Sequence, residues 1–101
     1  MHIWGIGELA IVNDLTRQGW TDVKLNTRGL GAADIQAKNP EGQTQLFQLN
    51  TAAVPNSPED LSASEKAAIK SKAKRLGAVA FEVKIQLDAN FAVRSISYVL
   101  L

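Results

Sequence analysis

A helix with a clear beginning and end lies in the middle of the chain, between segments that have the pattern of strands. Ser62 and Glu65 have the spacing of a capping box, which marks the start of a helix, and Gly77 marks its end. A helix between two strands serves as a crossover, which is the connection that parallel strands require. The sequence therefore predicts an α/β fold with a mixed sheet.

The spacing of apolar residues divides the rest of the chain into one further helix and five strands. We expect the helix over residues 5–18, the strands over residues 22–26, 33–37, 43–49, 79–87 and 91–101, and a loop over residues 51–61. Glycines in residues 28–31 and the Asn-Pro-Glu-Gly segment at residues 39–42 predict turns. The predicted order is α-β-β-β-α-β-β.

Composition limits the classes of function. The chain has 101 residues, eleven basic and ten acidic side chains, and no cysteine. Its length predicts one domain over residues 1–101, and its net charge of +1 excludes a generally basic protein. The lack of cysteine excludes disulfides, thiolate zinc sites and cysteine nucleophiles. No apolar run reaches the roughly 18 residues of a membrane span, so we expect a cytoplasmic protein without a membrane partner.

Glu8 lies within the apolar stripe of the first predicted helix. Steps of three, four and seven residues from it reach Ile11, Val12 and Leu15, on the face that should meet the sheet. Burial of a carboxylate is unfavourable unless the group is paired, bound to a metal or directed into a cleft, so Glu8 is a candidate site residue. The alternative is that Glu8 stabilises the helix N-terminus or reaches water at the edge of the core.

Asp34 is the second candidate, in the middle of a predicted strand. It shares one face of this strand with Gln36, while Ile35 lies on the other face. On the next strand Gln48 and Asn50 are two residues apart, and they emerge beside Asp34 if the two strands form a hairpin. The alternative for these residues is a solvated face of the sheet.

The sequence combines a helix glutamate, a strand, an N-x-R-G turn, an aspartate in A-D-I, a hairpin, and a strand with two polar residues two apart. This combination resembles the PD-(D/E)xK nuclease superfamily. Within it, the chain is most similar to archaeal Holliday junction resolvases and small related endonuclease-like proteins, over roughly residues 5–85. The resemblance implies a restriction-endonuclease-like fold, with a mixed sheet of about five strands and two main helices.

In that family one or two magnesium ions are held by the helix glutamate, the strand aspartate and the glutamate of an E-x-K motif. The lysine of this motif helps to activate the nucleophile or to stabilise the charge that develops during the reaction. The catalytic positions correspond here to Glu8, Asp34, Gln48 and Asn50. The first three would be the ligands of Mg²⁺, because Gln48 still offers a neutral oxygen. Asn50 cannot replace an ammonium, since an amide has no charge and no titratable proton. We therefore expect a protein without nuclease activity.

Lysines elsewhere leave an active enzyme as an alternative. Lys66, Lys70 or Lys24 could supply the missing cation of a metal-dependent endonuclease. Glu82 and Lys84 form a literal E-x-K, but a whole helix separates them from the hairpin, and their strand has apolar residues at alternate positions. We interpret them as a solvated pair on the outer face of that strand.

Basic side chains concentrate on the helix between the strands. Lys66, Lys70 and Lys74 form a stripe with a spacing of four residues, and Ile69 and Leu76 belong to an apolar stripe that faces the sheet. Such a stripe is typical of a solvated helix face, and it also fits the phosphate backbone of DNA. The hypotheses are therefore a nuclease-like protein that binds DNA or a protein without cleavage, an active endonuclease, and an interaction module without nucleic acid.

The end of the last predicted strand, residues 96–101, is apolar on both faces. This pattern is typical of a strand that a second copy of the chain covers, so a homodimer is one expectation. Cover from within the same chain is the alternative.

Overall fold

The described residues, 3–27 and 33–101 of this computed structural model, form two helices and five strands. The helices are α1 (Ile3–Arg17) and α2 (Ala63–Leu76). The strands are β1 (Thr21–Thr27), β2 (Ala33–Lys38), β3 (Thr44–Ala53), β4 (Val79–Leu87) and β5 (Val93–Leu100). They make one mixed sheet in chain order, in which β3 and β4 are parallel and all other neighbours are antiparallel. The predicted α/β class and order of elements are confirmed, and neither helix is long and apolar enough to cross a membrane.

The predicted limits of α2 are confirmed by its two caps. The Ser62 hydroxyl accepts a hydrogen bond from the Glu65 backbone N–H (3.1 Å), and the Glu65 carboxylate accepts one from the Ser62 N–H (2.9 Å). The hydrogen bond from the Ser62 N–H, and after it the one from the Ser62 hydroxyl, holds the pKa of the Glu65 carboxyl below its ordinary value. At the other end Gly77 has the left-handed conformation (φ 62°), which is accessible because glycine has no Cβ.

Two predicted strand limits differ from the structure by more than one residue. β3 continues to Ala53 instead of giving way to a loop at residue 51, because residues 51–53 pair with residues 85–87 of β4. β5 begins at Val93 rather than at residue 91, because the Asp88 side chain accepts two backbone hydrogen bonds and closes a turn. The turn predicted at residues 28–31 lies outside the described residues.

α1 covers one face of the sheet, where most of the apolar core lies. Ile11 and Leu15 are buried against the strand side chains that point to this side: Ile35, Ala37, Phe47, Leu49, Val83, Ile85 and Leu87. A Cβ at Gly7 would overlap the Thr51 side chain, so the glycine allows α1 to lie directly on β3.

α2 covers the opposite face, where the apolar core is small. Ile69 and Ala73 pack against Leu46 and Ala80. Leu76, predicted in the same stripe, is 45% exposed because it is the last residue of the helix. Polar side chains occupy the neighbouring positions of the sheet on this face, and α2 therefore lies over polar as well as apolar groups.

Candidate functional site

Three polar side chains lie next to one another on adjacent strands beneath α2. Asp34 of β2 is opposite Gln48 of β3, and Gln48 is beside Glu82 of β4. Residues that pair across neighbouring strands share a face of the sheet, so all three point towards α2. They are 0%, 8% and 4% exposed. We call these three residues the polar row.

Lys72 of α2 reaches the first member of the polar row. Its Nζ lies 3.3 Å from Oδ2 of Asp34, and its side chain is 22% exposed while that of Asp34 is inaccessible to solvent. Ile69 and Ala73 anchor α2 on Leu46 of β3 and Ala80 of β4, and from there the Lys72 side chain reaches Asp34 of β2. A carboxylate away from water needs such a partner, because the loss of hydration is otherwise not offset.

Glu82 holds the chain at the beginning of α2. Its Oε2 accepts a hydrogen bond from the buried Leu61 N–H at 2.7 Å, next to the capping residue Ser62. The prediction of a solvated Glu82 and Lys84 is wrong, because the segment of residues 54–62 and α2 cover this face of β4. Glu82 is buried, and Lys84 is half-buried.

Two residues further along β3 and β4, Asn50 and Lys84 contact the same covering segment of residues 54–62. Asn50 pairs with Lys84 in the parallel register, and its Nδ2 donates to the Glu59 carbonyl at 2.9 Å. The Lys84 ammonium donates to the Asp60 carboxylate. This hydrogen bond lowers the pKa of Asp60 and raises the pKa of Lys84. The E-x-K residues of β4 and the Q-x-N residues of β3 thus lie side by side, and three of these four side chains hold residues 59–61.

Glu8 is not brought to the polar row. It lies on α1, which packs on the other face of the sheet, and it is half-buried. Within the described part of the chain it has no hydrogen bond or ion pair. Of the four residues predicted at the catalytic positions, the structure brings Asp34 and Gln48 together, places Asn50 two residues further along β3, and leaves Glu8 on the opposite side.

The residues around the polar row do not fit a magnesium ion in their present arrangement. Asp34, Gln48 and Glu82 would offer two carboxylates and one amide oxygen, which are ligand types that Mg²⁺ accepts. However, the Lys72 ammonium lies against the first carboxylate, and the second accepts a backbone hydrogen bond. Among residues 3–27 and 33–101, no three His, Cys, Asp or Glu side chains group closely enough to hold a metal ion.

The predicted basic stripe lies along one side of α2. Lys70 and Lys74 are exposed and Lys66 is half-buried, and none of the three forms an ion pair within the described residues. Lys70 and Lys74 line an open groove of about 260 Å³ between α2 and the sheet, and Leu101 is also part of its lining. We call Lys66, Lys70 and Lys74 the basic stripe. It is separate from Lys72, which points to the other side of the helix.

A second concave site lies on the α1 face. Trp20, Phe47, Phe81 and Tyr98 form most of the wall of a pocket of about 190 Å³. Phe47 stacks on Phe81 and contacts Trp20 and Tyr98 edge-on. The Tyr98 hydroxyl donates to Asp14 at 2.9 Å. Burial, together with this hydrogen bond, raises the pKa of Tyr98.

Two residues of the site were not predicted in their observed roles. Lys72 appears in the sequence only as one of five basic residues of α2, yet it is three residues after Ile69 and one before Ala73. This spacing places it beside the buried face of the helix, which was the available signal. Glu82 had no comparable signal, because its burial depends on how residues 54–62 cross the sheet.

Neither a scan against models of protein families nor a search of curated proteins finds a match to this chain. The resemblance to the nuclease superfamily therefore stays a prediction.

Proposed function

We propose that this protein is a nuclease-like domain without nuclease chemistry, and that it binds DNA through the basic stripe of α2. The support for a restriction-endonuclease-like fold is the element order around a mixed five-stranded sheet. Asp34 and Gln48 also occupy adjacent strands at the positions that the resemblance implies.

The observation that carries the proposal is the Lys72 ammonium on the Asp34 carboxylate beneath α2. A nuclease carboxylate must reach a metal ion and a phosphodiester, whereas Asp34 is inaccessible to solvent and already faces a cation. Asn50, at the position of the motif lysine, donates to a backbone carbonyl instead. These contacts stabilise the fold and engage both side chains within the structure.

The proposal of DNA binding depends on charge. Five of the eleven basic residues of the chain lie on α2, with Glu65 as the only acid of the helix. Lys72 is used internally, and Glu65 is used in the capping box. The outward charges of the basic stripe are therefore not neutralised by their own helix. Successive lysines are four residues apart, which is about 6 Å along the helix, and this spacing suits contacts to a phosphate backbone.

The test is fluorescence anisotropy with a labelled DNA duplex at several salt concentrations. We expect the affinity to fall with salt, with a slope of log K against log salt near −3 if three phosphates are contacted. The triple substitution Lys66→Glu, Lys70→Glu and Lys74→Glu should abolish binding. A control with the same change of charge elsewhere, Arg17→Glu, Lys38→Glu and Arg94→Glu, should retain much more of the affinity. Equal losses in both variants would contradict the assignment to α2.

An active endonuclease is the second candidate, because the structure places a lysine beside Asp34. Cleavage of branched or duplex DNA with Mg²⁺ or Mn²⁺ that is abolished by Asp34→Ala would favour it over the proposal above. If the wild-type protein has no measurable affinity for DNA even at low salt, an interaction module without nucleic acid is the remaining hypothesis.

A second copy of the chain is the partner that β5 would fit. β5 lies at the edge of the sheet, and Val93, Val99 and Leu100 on it are 43%, 45% and 64% exposed. A long apolar edge strand is prone to pair with another strand. Antiparallel pairing of β5 with its copy would extend the sheet across a two-fold axis.

A further inference from the structure

The concave site on the α1 face is walled by aromatic rings that the core leaves partly open. Phe47 is buried, whereas Trp20 and Phe81 are half-buried and Tyr98 is 39% exposed. We call the site that these four rings wall the aromatic pocket. Phe47 already contacts the other three rings, stacked on one and edge-on to two. A further ring in the pocket would find partners for the same favourable arrangements.

Hydrogen bonds to Asp14 of α1 hold two side chains of the wall in place. The Asp14 Oδ2 accepts one from the Tyr98 hydroxyl at 2.9 Å and one from Nε2 of Gln18, which also lines the pocket, at 3.0 Å. A residue of β5 and a residue just after α1 are thereby tied to one carboxylate. The pocket is therefore formed before a ligand arrives, which reduces the entropy lost on binding.

The size and charge of the aromatic pocket limit the ligand that it can take. A cavity of about 150 Å³ accepts benzene, so a pocket of about 190 Å³ admits a single ring with a small substituent. The described side chains that line it carry no charge. An ion would lose hydration there without compensation. The ligand that fits is therefore uncharged and has one aromatic ring.

Gln45 gives the pocket a polar group that can recognise a substituent on such a ring. It lies on β3 two residues before Phe47, so both side chains are on the α1 face. Gln45 is half-buried, and its side-chain amide makes no hydrogen bond within the described residues. A primary amide offers a donor and an acceptor side by side, so it can form two hydrogen bonds with a second amide.

We propose that the aromatic pocket binds a small uncharged aromatic amide, with the ring against the aromatic wall and the amide paired with Gln45. The pocket lies on the α1 face of the sheet, and the basic stripe lies on α2 across the opposite face. This inference therefore goes beyond the proposed function and requires neither DNA binding nor descent from a nuclease.

The experiment is a titration of the full ¹⁵N-labelled chain with benzamide, followed by NMR. The reporter is the indole N–H resonance of Trp20, assigned through Trp20→Phe. We expect a saturable shift with a Kd on the order of 1 mM, as for other ligands of one ring. Benzoate, which replaces the amide by a carboxylate, should bind about tenfold more weakly or worse. Cyclohexanecarboxamide, which keeps the amide without the aromatic ring, should bind about three- to tenfold more weakly.

Substitutions of Gln45 test the recognition of the amide. Gln45→Leu should weaken benzamide about tenfold and leave the affinity for toluene, which has no amide, unchanged. Gln36→Leu is the matched control, because Gln36 is a half-buried glutamine on the other face of the sheet, and it should retain the wild-type affinity. Gln45→Trp fills the pocket and should abolish the shift.

The proposal is overturned if benzamide gives no saturable shift up to about 10 mM, which is tenfold above the expected Kd. It is also overturned if benzoate or cyclohexanecarboxamide binds as tightly as benzamide, or if Gln45→Leu loses no more affinity than Gln36→Leu. If a Gln45 variant does not fold, the comparison of the three ligands on the wild-type protein decides the outcome. No DNA enters these measurements, so their result is independent of the test of the proposed function.

Discussion

α1 approaches the sheet closely at Gly7, and this approach allows a quantitative test of the packing. A Cβ on Gly7 would overlap the Thr51 hydroxyl oxygen and lie 3.0 Å from its Cγ2 and 3.1 Å from its Cβ. Extra atoms in a packed region destabilise by about 1–3 kcal/mol, and an overlap of this kind belongs in the upper half of that range. Alanine favours a helix over glycine by about 1 kcal/mol. We therefore expect Gly7→Ala to lower the free energy of unfolding by about 1–2 kcal/mol.

Thr51→Ala removes the two overlapping atoms and leaves only the Cβ contact at 3.1 Å. In this background Gly7→Ala should be neutral or stabilising by up to about 1 kcal/mol, since the gain in helix propensity is then hardly opposed. The double-mutant cycle should give a coupling free energy of about 2 kcal/mol, measured by urea unfolding of the four proteins.

The reasoning is refuted if Gly7→Ala has the same effect in both backgrounds within about 0.5 kcal/mol, which is the usual error of additivity. Such a result would mean that α1 does not lie directly on β3 at Thr51. The placement of Glu8 on the face opposite the polar row would then rest on the burial of Ile11 and Leu15 alone.

Three further predictions concern titration and association. Tyr98 is the only tyrosine, so the absorbance of tyrosinate at 295 nm reports its titration alone. Tyr98 should titrate above the ordinary pKa of about 10, and Asp14→Asn should lower the midpoint of this titration. The pKa of Glu65 is lower in the folded state, so its capping contribution is present above the unfolded pKa near 4.5 and is lost as the pH falls through the folded pKa. Urea midpoints between pH 6 and pH 3 should therefore fall more steeply for the wild-type protein than for Glu65→Gln. Leu100→Lys, on the exposed edge strand, should shift the molar mass in light scattering from dimer to monomer; a wild-type monomer would contradict pairing through β5.

Local signals in the sequence predicted most of the fold. The capping box at Ser62 and the left-handed Gly77 delimit α2, and Asn39 closes the β2–β3 turn by accepting two backbone hydrogen bonds. The hairpin register also predicted Asp34 beside Gln48. In each case the determining interaction joins residues on one element or on two consecutive strands.

The surroundings of these residues were not predictable in the same way. Burial of Glu82 and the contact of Lys72 with Asp34 depend on where residues 54–76 pass over the sheet. No periodicity in β4 distinguishes a polar face that meets water from one that meets a covering segment. The alternation of apolar residues therefore predicted the strand correctly and its exposure wrongly.

The parallel pairing of β3 with β4 divides the sheet into two parts that are each continuous in the chain. Residues 3–53 supply α1 and the first three strands, and residues 63–100 supply α2 and the last two. The polar row and Lys72 connect these parts: Gln48 lies beside Glu82, and Asp34 contacts Lys72. Loss of any of these side chains should therefore weaken the assembly of the two parts before it affects any chemistry. Two fragments separated within residues 54–62 would depend on the same contacts to recognise each other.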